Sequence, residues 1–147
     1  MEDKCFDAIF GEMQYKHRWF KTQKDTFFGN EYEVKVVAKA YTGKEITDAQ
    51  RDAYKKFLDN ANEYKEAVSK QLMDYVNSNL IELAESWTGA RKIESEADLV
   101  KIVTPKTILV KQDGTLLILL DCVWDVENGV AVKLMPEVAV GSQDLFL

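Results

Sequence analysis

The chain contains very few of the residues that most often build catalytic and metal centres. Its 147 residues include one histidine, His17, and two cysteines, Cys5 and Cys122. Zinc sites, Cys–His pairs and Ser–His–Asp triads draw on those two residue types, so any such site would have to be built around His17. The sequence also has no glycine-rich phosphate-binding loop. We therefore assign no catalytic residue, no metal ligand and no cofactor.

Proline, glycine and long apolar runs are scarce as well. Two prolines and seven glycines leave little room for flexible linkers, and a hydrophobic fraction of 46% can fill a core. The longest apolar run, Leu116–Leu120, is far too short to cross a bilayer. No apolar segment of a secretory signal follows Met1. These features predict one folded domain over residues 1–147, located in the cytoplasm, with reduced cysteines.

The net charge of −6 is unevenly distributed along the chain. Residues 44–98 carry twelve acidic side chains against eight basic ones. Nucleic-acid binding relies on clustered Lys and Arg, and a local patch of this kind contains Lys16, Arg18, Lys21 and Lys24. We interpret these four as a solvated strand face. The sequence therefore predicts no nucleic-acid partner and no membrane partner, whereas an acidic surface favours a basic protein.

Strand patterns occupy the first third of the chain. The aromatic-rich segment Trp19–Phe28 and the alternating segment Tyr32–Ala40 flank Gly29-Asn30, which is a good hairpin signal. A shorter strand is expected at Met13–Tyr15. Cys5 is expected to lie before it in a mobile N-terminus.

Strand patterns return in the last third. Asp113-Gly114 stands between Thr107–Val110 and Thr115–Val123, and Asp-Gly suits the primed two-residue turns. Because Leu116–Leu120 is apolar without alternation, we expect that strand to be buried on both faces. Further strands are expected at Val130–Met135 and Val138–Val140.

The middle of the chain reads as helical. Thr47 to Gln50 has the form of a capping box, and Tyr54, Phe57 and Leu58 follow at helical spacing. A break at residues 59–62 separates this helix from a longer one over residues 64–83. A third, short helix is expected to start at Ser95 and to be stopped by Pro105.

These segments predict an α+β fold with strands at about 10–41, helices at about 47–102 and strands at about 106–140. An antiparallel sheet built from the N-terminal and C-terminal strand regions would pack against two main helices. The pattern is compatible with one sheet or with two.

Several landmarks together resemble a known family. They are Phe10-Gly11-Glu12-Met13, Trp19, Phe27-Phe28-Gly29-Asn30-Glu31-Tyr32-Glu33-Val34, Ile46-Thr47-Asp48-Ala49-Gln50 with Ala53-Tyr54, Trp124 to Val132, and Val140-Gly141-Ser142-Gln143-Asp144. The chain resembles a bacterial group of small proteins of unknown function, which is loosely similar to immunity-type proteins that neutralise toxins of neighbouring cells. This resemblance implies a protein-binding role and brings no catalytic residues with it.

The densest group of candidate side chains surrounds one predicted turn. Asp121, Asp125 and Glu127 would share one face of a strand, and carboxylate oxygens suit Ca²⁺ or Mg²⁺. Their spacing does not match an EF-hand loop. The favoured interpretation is structural: Asp125 organises the turn and Trp124 packs on the sheet. A metal-dependent hydrolase built on the three carboxylates is the alternative function.

Three smaller candidates have structural interpretations that we favour. His17 stands between Tyr15 and Trp19, where it could stack on a ligand, but a hairpin residue packed beside its cross-strand partners is the more usual role. Glu82 and Glu85, with nearby Trp87, could pair their carboxylates as acid and base, yet surface acids on a helix are ordinary. Cys122 has no Lys, Arg or His within four residues, so we interpret it as a small buried hydrophobe.

The sequence is best explained by a non-enzymatic cytoplasmic protein-binding domain that uses an acidic surface to hold a basic partner, such as a cationic nuclease toxin. The predicted contact residues lie on the helices and on the turn before the last strands. They are Asp52, Asp59, Glu63, Glu66, Trp124, Asp125 and Glu127.

Overall fold

The computed structural model describes residues 4–41 and 43–147. Its strands form one eight-stranded sheet in which spatial order follows chain order. The strands are β1 (Lys4–Asp7), β2 (Gly11–Tyr15), β3 (Trp19–Phe27), β4 (Asn30–Ala38), β5 (Val103–Val110), β6 (Leu116–Cys122), β7 (Val130–Met135) and β8 (Ala139–Ser142). The residues directly after Met1, on which the prediction of no secretory signal depends, lie outside the described ranges.

The sheet is mixed because one pair of neighbours runs parallel. β4 and β5 are parallel, whereas every other neighbouring pair is antiparallel. The connection between β4 and β5 contains the helices α1 (Asp48–Asp59), α2 (Ala61–Ser78), α3 (Leu80–Leu83) and α4 (Glu96–Val100). A parallel pair requires such a crossover, since the chain must return to the end of the sheet at which β4 began. The prediction of a wholly antiparallel sheet is therefore wrong at this pair, while the order of strands, helices and strands is confirmed.

The helices begin close to their sequence signals. The capping box at Thr47 is present, a break occurs at Asn60, and α4 starts after Ser95. Pro105 does not stop the third helix, which ends at Val100. Pro105 instead lies buried in β5 beside an irregularity in the pairing with β6, where a residue without an N–H is tolerated. In the part of the chain that is described, no helix is long and apolar enough to span a membrane.

The first hairpin turns one residue earlier than predicted. Phe27 pairs with Asn30, so the two-residue loop consists of Phe28 and Gly29. Both have positive φ, 54° and 76°, as a type I′ turn requires. A phenylalanine rarely adopts this conformation. Here its ring is buried in the core, and that burial offsets the backbone strain.

The second hairpin is longer than the predicted two-residue turn. Lys111 N donates to Thr115 O at 2.8 Å, Gly114 N donates to Lys111 O at 2.9 Å, and of the turn residues only Gly114 has positive φ. This pattern fits a three-residue loop with a bulged glycine rather than a primed turn. A Cβ at Gly114 would lie 3.0 Å from Ala49 O at the start of α1. Glycine therefore lets the hairpin approach the helix closely.

The N-terminal strand β1 was not predicted. Cys5 pairs with Met13 of β2, so the prediction of a mobile N-terminus around Cys5 is wrong. A four-residue strand carries too short a pattern to be recognised, and its order comes from pairing with β2 rather than from its own sequence.

The main core lies between the helices and one face of the sheet. Tyr54 and Phe57 of α1 and Val68, Leu72 and Val76 of α2 are buried against it. Leu58, which the sequence pattern placed on the buried stripe, is 46% exposed. The helical spacing is therefore right for two of the three predicted residues.

A second, smaller apolar cluster lies on the other face of the sheet. Val37, Leu109, Leu117 and Ala131 are buried there, with Phe20, Leu119 and Phe146 packed around them. Because Leu116, Ile118 and Leu120 of the same strand belong to the main core, β6 is apolar on both faces, as the sequence predicted. Phe146 follows a short 3₁₀ helix, Gln143–Leu145.

Gln50 joins the start of α1 to the ends of the parallel strands. Its Oε1 accepts from Thr47 N at 2.8 Å, and its own N–H donates to Thr47 Oγ1 at 3.1 Å. Its Nε2 also donates to Lys39 O at 2.8 Å and to Val110 O at 3.0 Å. The side chain is completely buried, so water could not replace these partners.

Replacing Gln50 by leucine should destabilise the protein strongly. The change takes a side-chain donor from Lys39 O and Val110 O and an acceptor from Thr47 N–H, while Val110 O keeps the backbone N–H of Lys39. We expect the free energy of unfolding to fall by about 2–4 kcal/mol. Urea unfolding followed by circular dichroism measures this difference. Gln14→Leu, at an exposed position of β2, is the control and should change the free energy of unfolding by less than about 0.5 kcal/mol. Equal effects of the two variants would contradict the bridging role.

A buried carboxylate attaches the end of β1 to α1. Asp7 Oδ2 accepts from the backbone N–H groups of Ile9 and Phe10, and Oδ1 accepts from Arg51 Nε at 2.5 Å. Burial alone would raise the pKa of Asp7, but the hydrogen bonds from Phe10 and Arg51 outweigh it and hold the pKa below its usual value. Arg51 also pairs with exposed Asp48.

The Asp7→Asn variant should lose stability in a pH-dependent way. At pH 7 we expect a loss of about 1–3 kcal/mol, because a hydrogen bond to a charged group is replaced by one to a neutral amide. A lowered folded-state pKa contributes stability above the unfolded value of about 3.9, and this contribution disappears as the pH falls through the folded value. When the free energy of unfolding is plotted against pH between pH 7 and pH 2, the curves of the variant and the wild type should therefore converge. Asp48→Asn, at an exposed pair, should cost less than about 0.5 kcal/mol, and parallel curves for Asp7→Asn would disprove the assignment.

Candidate functional site

The four predicted acidic residues of the helices are all exposed or partly exposed. Asp52 and Asp59 lie on α1, and Glu63 and Glu66 lie on α2. Asp59 Oδ2 accepts from Lys55 Nζ at 2.6 Å, so its charge is partly balanced within its own helix. Asp52, Glu63 and Glu66 form no ion pair with any residue in 4–41 or 43–147. Their charge is available to a partner.

Glu66 lines a groove between α2 and α4. The groove has a volume of about 270 Å³ and is lined by Glu66, Ser69, Lys70, Met73, Asp74 and Glu96. Ser69 Oγ donates to Glu96 Oε2 at 2.6 Å, so one wall is fixed by a bond between the two helices. Three carboxylates against one lysine give the lining a net negative charge. We call it the acidic groove.

Sequence reasoning identified only Glu66 among the carboxylates of the acidic groove. Asp74 stands eight residues after Glu66 on the same helix, and that spacing gives a stripe on one face. Glu96 belongs to a different helix, and only the packing of α4 against α2 brings it to Glu66 and Asp74.

The predicted contact residues on the turn between β6 and β7 differ in their exposure. Trp124 is only 7% exposed, and its ring lies 6.3 Å from that of Tyr75 and 6.2 Å from that of Trp87. It therefore offers a partner almost no surface. Asp125 is partly buried, and Glu127 is exposed.

Asp125 organises its own turn, as the structural interpretation predicted. Its Oδ1 accepts from Asn128 N at 3.1 Å, and its backbone oxygen accepts from Gly129 N at 2.9 Å. Ser142 Oγ of β8 lies 3.5 Å from Oδ2. These bonds hold the turn against the neighbouring strand.

The structure does not bring the predicted carboxylate site together. Asp121 lies in β6 opposite Thr104, while Asp125 belongs to the turn that follows. Among all described residues, no three His, Cys, Asp or Glu side chains are placed to hold a metal ion. The hydrolase alternative based on Asp121, Asp125 and Glu127 therefore gains no support from the fold. Glu82 and Glu85 are both exposed, as ordinary surface acids are.

The four basic residues that the sequence groups together, Lys16, Arg18, Lys21 and Lys24, are divided between different surfaces. Lys21 turns inward, where its Nζ donates to Phe10 O and lies 5.5 Å from the centre of the Tyr54 ring. Lys24 pairs with Glu31. Because these residues do not share a face with Lys16 and Arg18, which belong to the loop between β2 and β3, the interpretation of one basic strand face is wrong.

The aromatic neighbours of His17 are engaged in structural contacts. Tyr15 and Trp19 pack edge to face at 5.2 Å. Tyr15 OH donates to Ala40 O at 3.2 Å, and Trp19 Nε1 donates to Lys44 O at 3.0 Å. Exposed His17 lies between them with φ of 69°, so it does not pack as a cross-strand partner.

Cys122 is a buried structural residue, as predicted. Burial raises the pKa of Cys122 to about 11, and Sγ lies 3.6 Å from Asp125 O. Such a thiol is almost wholly protonated near neutral pH and is a poor nucleophile. Burial, followed by the nearby Asp7 carboxylate, also raises the pKa of Cys5.

The fold and these surfaces define a small mixed α/β protein with one sheet, helices on one face and exposed acidic side chains on those helices. Residues 9–147 match the family model described as Domain of unknown function (DUF6985). The chain therefore belongs to this family. Comparisons with curated proteins and with solved structures found no match.

Cys122 should react slowly in the native protein. In a Cys5→Ser background, a thiol with a pKa of about 11 should be alkylated by iodoacetamide at pH 7.5 at least about 100-fold more slowly than the same thiol after denaturation in urea. Mass spectrometry of timed samples gives both rates. Rapid labelling of the native protein would show that Cys122 is accessible and that the strand end opens.

Proposed function

We propose that the protein is a non-enzymatic cytoplasmic binding domain of the immunity type, which holds a basic protein partner through the acidic groove. The carrying observation is that Glu66 and Asp74 face one concave surface without an ion pair inside the described ranges. Glu96 completes the three carboxylates. A groove with this charge favours a lysine or arginine side chain of a partner.

The groove suits an arginine in shape as well as in charge. Met73 supplies an apolar, adaptable lining for the methylene groups of a long basic side chain. Glu66 and Asp74 can accept from the guanidinium, whereas Ser69 holds Glu96 in place. A carboxylate fixed before binding loses less conformational entropy when the complex forms.

The acidic surface continues beyond the groove. A shallow depression at the junction of α1 and α2 is lined by residues 58–63, including Leu58, Asp59 and Glu63. Asp52 lies seven residues before Asp59 on the same helix, so the two share a face. Exposed Leu58 adds apolar contact area between the charges. This extended surface would steer a basic partner and accelerate its capture.

Asp125 and Glu127 belong to the proposed surface as its outer part. They lie on the turn that packs through Trp124 against Tyr75 of α2, which connects this turn to the helical side of the protein. Trp124 holds the turn against Tyr75 and Trp87, and we assign it no direct contact with the partner.

The test is the affinity of a basic partner for a charge-reversed groove. Tagged protein captures its partner from the native cytoplasm at low salt, and the partner is then purified. We expect the Glu66→Lys, Asp74→Lys double variant to raise the dissociation constant at least about tenfold, because charged pairs at an interface contribute about 1.5 kcal/mol or more each. Isothermal titration calorimetry measures it.

The matched control makes the same charge change elsewhere. Glu31→Lys with Glu33→Lys alters two exposed residues of β4, on strand positions that alternate with the buried core positions Val34 and Val36. The control should leave the dissociation constant within about twofold at 0.15 M salt, where distant surface charges are screened. If both double variants weaken binding equally, net charge alone explains the effect. If neither weakens binding, the acidic groove is not the binding site.

A further inference from the structure

A basic pocket opens at the ends of the parallel strands. It has a volume of about 500 Å³, and its lining includes His17 and the charged residues Arg18, Lys39, Lys111 and Asp113. Lys39 directly follows β4 and Lys111 directly follows β5, so both stand at the carboxyl ends of the parallel pair. Crevices at that end of parallel strands are common ligand sites in open sheets. No residue of this pocket belongs to the acidic groove.

The positive charge of the pocket is only partly balanced by its surroundings, since Asp113 is the one carboxylate among the described residues of the lining and interacts with Lys111. Arg18, Lys39 and Lys111 form no ion pair with any residue that the structure describes. Asp113 Oδ1 accepts from Thr115 N at 2.9 Å, which directs that carboxylate to its own turn. Three cations against one carboxylate leave the pocket with a net positive charge in a protein of net charge −6, so the cations repel one another. An anionic ligand would relieve this repulsion.

The pocket is held by bonds from three sides. Gln50 binds the carbonyl oxygens of Lys39 and Val110, and Thr47 Oγ1 donates to Gln112 O at 2.8 Å. From β2, Tyr15 OH donates to Ala40 O. Lys111 Nζ also donates to Phe146 O, near the C-terminal end. The backbone that carries the basic side chains is therefore ordered before any ligand arrives, which lowers the entropic cost of binding.

We propose that this pocket binds a small molecule carrying two or more phosphate groups. Phosphates match the lining because each accepts several charge-assisted hydrogen bonds from Arg and Lys. A volume of about 500 Å³ lies within the range of sites for ligands of nucleotide size. The exposed ring of Tyr41 lies at the same pocket and offers a stacking surface to a base. Binding here is a second activity, separate from the protein contact at the acidic groove.

Titration with two probes tests the proposal. Tripolyphosphate and ATP are added to the full-length protein at 0.15 M salt, without divalent metal, and binding is followed by calorimetry and by backbone amide NMR shifts. We expect both probes to bind, with shifts confined to residues 16–18, 39–41 and 111–113. Tighter binding of ATP would identify a nucleotide as the ligand class, and equal binding would identify a polyphosphate without a base.

A pair of matched variants distinguishes the pocket from general charge attraction. Arg18→Gln with Lys39→Gln should weaken tripolyphosphate binding at least about tenfold, since two charge-assisted contacts are lost. Lys101→Gln with Lys106→Gln makes the same charge change at exposed positions and should weaken it less than about twofold. The proposal is overturned if neither probe binds, if shifts spread over other surfaces, or if both double variants weaken binding equally. Thermal melts of both variants establish that each one folds.

Discussion

The structure depends on how the only parallel strand pair of the described sheet is joined and held. β4 and β5 become neighbours only after the chain has formed the four helices between them. Gln50 binds one carbonyl beyond β4 and one at the end of β5 while it caps α1. Because the Gln50 side chain is buried, water cannot replace it as a hydrogen-bond partner when it is removed. The loss of these hydrogen bonds therefore destabilises the folded state. Gln50 therefore connects the start of α1, and with it the crossover, to the parallel strand pair of the sheet by hydrogen bonds.

The same joint positions the two charged surfaces. With α1 fixed at the strand ends, α2 lies along β7 and β8 and α4 packs against α2, which creates the acidic groove. The strand ends themselves carry Lys39 and Lys111 into the basic pocket. A chain with net charge −6 thus presents opposite charges at two separate places. The protein contact that we propose for one and the anion binding that we propose for the other are compatible, because the two surfaces share none of their described lining residues.

Local signals in the sequence predicted local structure well. The capping box at Thr47, the break at Asn60 and the apolar strand β6 all appear where their patterns placed them, since each depends on residues close in sequence. The predictions were wrong where contacts between residues far apart in the sequence determine the local structure. Phe28 adopts positive φ because its ring is buried, and Pro105 fits a strand because the pairing beside it is irregular. Neither reason can be seen in a short window of sequence.

The candidate sites divide in the same way. By itself, the sequence determined the order of strand, helix and strand regions and the acidic character of the helical segment. It also determined the solvent-facing positions of Asp52, Asp59, Glu63 and Glu66, because amphipathic spacing fixes which helix face meets water. Only the tertiary structure decided that Glu66 and Asp74 meet Glu96, that Trp124 is covered, and that Arg18, Lys39 and Lys111 converge. Those residues lie far apart in the sequence or on different elements. Packing and strand pairing, which act through space, bring them together.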